Sequence, residues 1–110
     1  MRQYSPLVPK NVSDLRDLIG SMMLGSPTFI DKTGRVPGEN LETTFYELNE
    51  GLRNLRGKLG EARYLKLLEM SNQMRAYFEA DPDDQTGDAV KGRDLILDML
   101  DLLKARRPKS

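Results

Sequence analysis

Five carboxylates fall within ten residues of this chain, Glu79, Asp81, Asp83, Asp84 and Asp88. Such a cluster is what a hard cation or an acid-base pair would require. The spacing argues against calcium. With Asp81 as the first ligand of an EF-hand loop, Thr86 stands where the sharp turn needs glycine, and Gly92 stands where a bidentate glutamate should be. Asp83, Asp84 and Asp88 are better read as residues just before or within the first turn of a helix. Negative charge there stabilises by roughly 0.3 to 1 kcal/mol per residue. No metal and no cofactor is expected.

The rest of the inventory is poor in reactive groups. Histidine and cysteine are both absent, which removes the commonest general base, the commonest metal ligand and the thiolate nucleophile. Lysine, tyrosine, hydroxyls and carboxylates remain, in no spacing that assembles a catalytic constellation, so the chain is not expected to be an enzyme. Asp31-Lys32-Thr33-Gly34 spells the start of the phosphorylation motif of P-type pumps, but Arg35 stands where that motif continues with threonine. The chain also lacks membrane spans and the length of a pump. A polar turn is the better account of these residues. The five internal methionines and Tyr46, Tyr64 and Tyr77 have the helical spacing of packed residues.

Charge is distributed unevenly within a neutral whole. The 110 residues hold 17 basic and 17 acidic side chains, so no net field draws the protein to nucleic acid or to an anionic membrane. Residues 79 to 101 nevertheless carry eight acidic and two basic residues, whereas residues 53 to 66 carry five basic and one acidic. In an antiparallel helical arrangement these regions would centre on opposite ends. The acidic end could then receive a basic partner by steered association, or could simply be a solvated face. Arg53, Arg56, Lys58, Arg63 and Lys66 lack the interleaved aromatics of a single-strand platform, so nucleic-acid binding is not expected.

The elements that position these charges read as helices. The pattern predicts a first helix starting near Asn11 or Ser13, running through Leu15, Leu18, Ile19 and Met22 and ending at Gly25. Residues 25 to 39 hold three glycines and two prolines and form a long loop, expected to be ordered with Phe29, Ile30 and Val36 pinned to the core. Asn40 caps a second helix whose stripe is Leu41, Phe45, Leu48, Leu52, Leu55 and Leu59. A short Gly60 junction leads to a third helix over 61–80, antiparallel to the second and ended by Asp81-Pro82. The last helix starts at Thr86 or Asp88 and reaches Lys104. Apolar residues cover more than half of its circumference, which predicts the most central position for it. The expectation is an all-α fold, a single domain over 1–110 built as an antiparallel bundle of about four helices, with frayed tails at 1–10 and 105–110. No signal peptide or membrane span is recognisable, so the cytoplasm is the expected compartment.

The run FYELNEGLRNLRGKLGEARYLKLLEMSNQMRAYFEADPDDQTG, Phe45 to Gly87, resembles a small bacterial family found beside polymorphic toxins, the immunity proteins of contact-dependent growth inhibition systems. With its extension into GRDLILDMLDLL the resemblance covers about 60 of the 110 residues. It implies a cytoplasmic inhibitor that binds a cognate toxin C-terminal domain, usually a nuclease, and has no catalytic residues of its own. A basic, nuclease-like partner would meet Asp83, Asp84, Asp88, Asp94, Asp98 and Asp101, together with the loop at Asp31, Lys32 and Arg35. The competing expectation is a self-associating helical adaptor or regulatory module, with the leucine stripe of the second helix completed by another chain.

Overall fold

The computed structural model describes residues 8–29 and 40–104. This part of the chain is all-helical, with α1 (Val12–Gly25), α2 (Leu41–Asn54), α3 (Arg56–Leu59), α4 (Glu61–Ala80) and α5 (Asp88–Lys104). The starts of α1 and α2 follow from side chains that satisfy free amides. Asn11 Oδ1 accepts the Asp14 N–H at 2.7 Å and opens α1. At α2 the cap is reciprocal: Asn40 Oδ1 accepts the Thr43 N–H at 3.0 Å, and Thr43 Oγ1 accepts the Asn40 N–H at 2.9 Å.

The second predicted helix is in fact two. At Leu55 the backbone leaves helical geometry (φ −98°, ψ 7°), and a single turn, α3, restarts from it. Leu55 and Leu59 stay buried on either side of the break. The leucine spacing runs through this bend unchanged because both pieces turn the same side inward. Gly60 then adopts φ 85° with ψ 148°, a conformation open to glycine and costly for other residues. Across that corner Arg56 Nε donates to Glu61 Oε2 at 2.7 Å, and the Arg56 guanidinium lies 4.9 Å from the centre of the Tyr64 ring. The mutual hydrogen bond raises the Arg56 pKa and lowers that of Glu61. Both side chains are about half exposed, so the clasp contributes little to stability.

The long helices pack as α1 on α2 and α5, and α4 on α2 and α5. The directions are set by particular contacts. Phe45 meets Phe78 and Asn49 accepts the Ser71 hydroxyl at 2.7 Å, so α2 and α4 run antiparallel. Gly92 lies against Phe78, while Lys66 shares a groove with Asp98 and Asp101, so α4 and α5 are antiparallel as well. One contiguous core results, centred on Leu15, Ile19, Phe45, Leu48, Met74, Phe78, Ile96 and Met99. Phe29 belongs to it, edge-on to Phe45 and Phe78 at 5.9 and 5.4 Å. Ile30 and Val36, also expected to pin the loop, lie outside the described residues. Within the segment expected to fray, Pro9 is buried, and its ring packs so closely on Gly51 that no β-carbon would fit between them.

The position of α5 corrects the sequence expectation. Its core face (Ala89, Gly92, Ile96, Met99, Leu103) is buried, but it touches only α1 and α4, whereas α4 touches α2, α3 and α5. A helix with apolar groups over more than half its circumference thus sits at a corner of the arrangement. The surplus is left outside: Val90 is 50% and Leu97 52% exposed. Four corners leave each long helix an outer face, and α5 has more apolar side chains than two neighbours can cover.

Candidate functional site

The turn between α4 and α5 holds the densest carboxylates, and one of them is structural. Asp81 is only 2% exposed. Its Oδ1 accepts the N–H groups of Gln85 at 2.7 Å and Thr86 at 3.1 Å, and its Oδ2 accepts that of Ala89 at 3.0 Å. The carboxylate therefore satisfies two amides of the turn and, at Ala89, one of the free amides at the start of α5, as an anion in the positive field of a helix N-terminus. Chiefly the Ala89 amide, with those of Gln85 and Thr86, holds its pKa down at about 2 against the opposing effect of burial. The sequence presents Asp81 only as a helix terminator. The missed signal is a carboxylate placed four and five residues before turn amides and eight before an amide in the first turn of the next helix.

The pH dependence follows from the direction of that shift. The folded protein releases the Asp81 proton more readily than the unfolded chain, so the contribution of Asp81 is complete above the ordinary carboxylate range near 4. It is lost as pH falls toward about 2. Asp81→Asn puts an amide donor against a backbone donor and should lower Tm near pH 6 by roughly 5 °C or more. The gap to wild type should close between pH 4 and pH 2. Thermal melts across that range check it, and an undiminished gap at pH 2 would contradict the role given to Asp81.

The other acidic residues divide into two groups. Asp83 is exposed at the turn. Asp84 has φ 55° and is gripped by Arg93, whose Nη2 lies 3.0 Å from both carboxylate oxygens while its Nη1 reaches Ser26 Oγ at 3.3 Å. This joins the end of α1, the turn and α5, so Asp84 is occupied within the fold. Asp88 stands in the first turn of α5 with Lys91 Nζ at 3.7 Å, and Lys91 lies 5.8 Å from the centre of the Tyr77 ring. Asp94, Asp98 and Asp101 are exposed at spacings of four and three along the outer face of α5. Asp88 and Asp101 are thirteen residues apart on that helix, about 20 Å along its axis.

That separation corrects the expectation of one acidic end opposed to one basic end. The antiparallel course of α5 carries Asp98 and Asp101 back beside Lys66 of α4, in an open groove of ≈ 510 Å³ whose other lining residues are Met70, Leu95 and Leu102. The basic residues near Gly60 are likewise partly engaged: Arg53 lies 3.5 Å from Glu50, and Arg63 donates to the Leu59 carbonyl at 3.0 Å. Asp31, Lys32 and Arg35 lie outside the described residues.

Among the described residues, no three His, Cys, Asp or Glu side chains gather to hold a metal ion, and no helix is long and apolar enough to cross a membrane. On the outer side of α5, exposed carboxylates alternate with half-exposed Val90 and Leu97 beside an apolar groove, whereas the other exposed large hydrophobics, Leu24, Tyr46 and Leu65, lie on other helices. No known protein family, no curated protein and no solved structure matches the chain.

Proposed function

We propose that this protein is a non-catalytic binding protein of the immunity type, which associates with a toxin domain in the cytoplasm of the producing cell and blocks it. On this reading the four long helices form an antiparallel bundle that acts as a rigid frame. The observation that carries the proposal is the outer side of α5, where Asp94, Asp98 and Asp101 stand exposed among half-exposed Val90 and Leu97. A mixture of exposed charge and half-exposed apolar side chains suits the polar rim and apolar centre of a protein-protein contact. The carboxylates favour a basic partner, such as a nuclease whose cleft is built for phosphates.

Asp84 and Asp88 are assigned a supporting part, because Arg93 and Lys91 already engage them. The test mixes the protein with the toxin-like domain encoded by an adjacent reading frame. Association at micromolar concentration or tighter is expected. Reversing the charge of Asp94, Asp98 and Asp101 together should slow association and flatten its salt dependence. Absence of association at micromolar concentration would remove the immunity reading.

Self-association as an adaptor would need a different seam from the one expected. Phe45, Leu48, Leu52, Leu55 and Leu59 are all buried within their own chain. Equilibrium sedimentation separates the two readings, since concentration-dependent dimerisation without a toxin partner favours the adaptor.

A further inference from the structure

We infer that the groove between α4 and α5 seats one basic amphipathic helix of the partner. The inference rests on the binding function proposed above and specifies its place and its ligand. The floor is apolar, with Met70 from α4 facing Leu95 and Leu102 from α5. Leu95 and Leu102 are seven residues apart, which is two helical turns. A visiting helix placing apolar residues at spacings of three, four and seven would find a matching row. Met70 adds an unbranched, adaptable side chain to that contact.

A helix suits the site better than an extended strand. No strand occurs among the described residues, so there is no sheet edge to supply backbone hydrogen bonds. A helix satisfies its own backbone and needs only ridges to fit the valley between two antiparallel neighbours. The sign of the partner follows from the rim. Asp98 and Asp101 border the groove and Asp94 lies one turn before Asp98, against Lys66, the one cation among the described lining residues.

A second copy of this chain is disfavoured as the occupant. A twofold contact sets a patch against itself, and here that would bring the aspartate row onto its own counterpart.

The test uses the full ¹⁵N-labelled chain and a synthetic leucine-lysine amphipathic peptide of about two heptads, with a leucine-glutamate peptide of the same pattern as control. Amide shifts should concentrate at residues 66–70 of α4 and 95–102 of α5, and the control should give none. Asp98→Lys combined with Asp101→Lys should weaken the lysine peptide by at least roughly tenfold. Both positions are exposed, and circular dichroism verifies that the fold persists; Leu102→Gln, on the half-buried floor of the groove, should weaken binding in the same direction without altering charge. The inference is overturned if the shifts centre on Asp83, Asp84 and Asp88, if they spread over the whole surface, if the control peptide gives the same pattern, or if the double variant binds equally well. A toxin domain that binds the double variant as tightly as wild type would defeat the groove and leave the immunity reading standing. Groove binding of the peptide with no toxin association would do the reverse.

Discussion

Phe78→Ala should lower the free energy of unfolding by about 3 to 5 kcal/mol, the range for emptying a fully buried aromatic site. Phe78 has no exposed surface. Its ring stands 5.4 Å from that of Phe29 at 74° and 6.5 Å from that of Phe45, and its edge fills the space left by the missing side chain of Gly92. Removing it would strip contacts from α2, α5 and the segment after α1 together. A domain of this size has about 5 to 15 kcal/mol in total, so the variant should be close to unfolding at 37 °C. Urea midpoints measure the effect. A loss below about 1 kcal/mol would mean that the three rings are not the centre of the core.

The second large effect is expected at a residue that helix propensity would invite one to replace. Gly92 lies inside α5, where alanine is favoured over glycine by about 1 kcal/mol. Yet a β-carbon at position 92 would stand 2.5, 2.8 and 2.9 Å from atoms of the Phe78 ring. That ring has nowhere to go, because Phe29 and Phe45 hold it on other sides. Overpacking of this kind costs about 1 to 3 kcal/mol and should outweigh the propensity gain. Gly20→Ala is the control: it is also inside a helix, but a β-carbon there meets nothing within 4 Å. It should stabilise by about 0.5 to 1 kcal/mol. Thermal melts of the two variants should move in opposite directions. If Gly92→Ala also raises Tm, the packing account of α5 on α4 is wrong. Shrinking the ring with Phe78→Leu should relieve part of the Gly92→Ala cost, a coupling that a double-mutant cycle would resolve.

Much of the helical architecture is legible before folding is considered. Asn11 and Asn40 are caps by residue type, Gly25 and Asp81-Pro82 are terminators, and α4 and α5 occupy the spans that their apolar periodicity marks. The bend at Leu55 is different. Leu52, Leu55 and Leu59 keep their spacing across it, and nothing in residue type sets Leu55 apart from its neighbours. A pattern of burial records which side of a segment faces inward and is insensitive to a change of axis that preserves that side.

The candidate site was less legible than the fold for a related reason. Asp81, Asp84 and Asp98 look alike in sequence as acidic residues of one charge run. The structure gives them unlike fates: Asp81 is buried against three amides, Asp84 is held by Arg93, and Asp98 is exposed beside Lys66. What the amino-acid sequence determined by itself was local: helices, caps, the excess of apolar residues on α5 and the sign of its charges, all properties of near neighbours along the chain. Which carboxylates are consumed by the fold, and which apolar side chains remain outside it, depended on residues far apart in sequence. Arg93 reaches 67 positions to Ser26 and 9 to Asp84. Placing α5 at a corner left Val90 and Leu97 half exposed. Only tertiary packing decided this, because burial is settled by the number of neighbours a helix obtains, and periodicity reports only the face with which it would meet them.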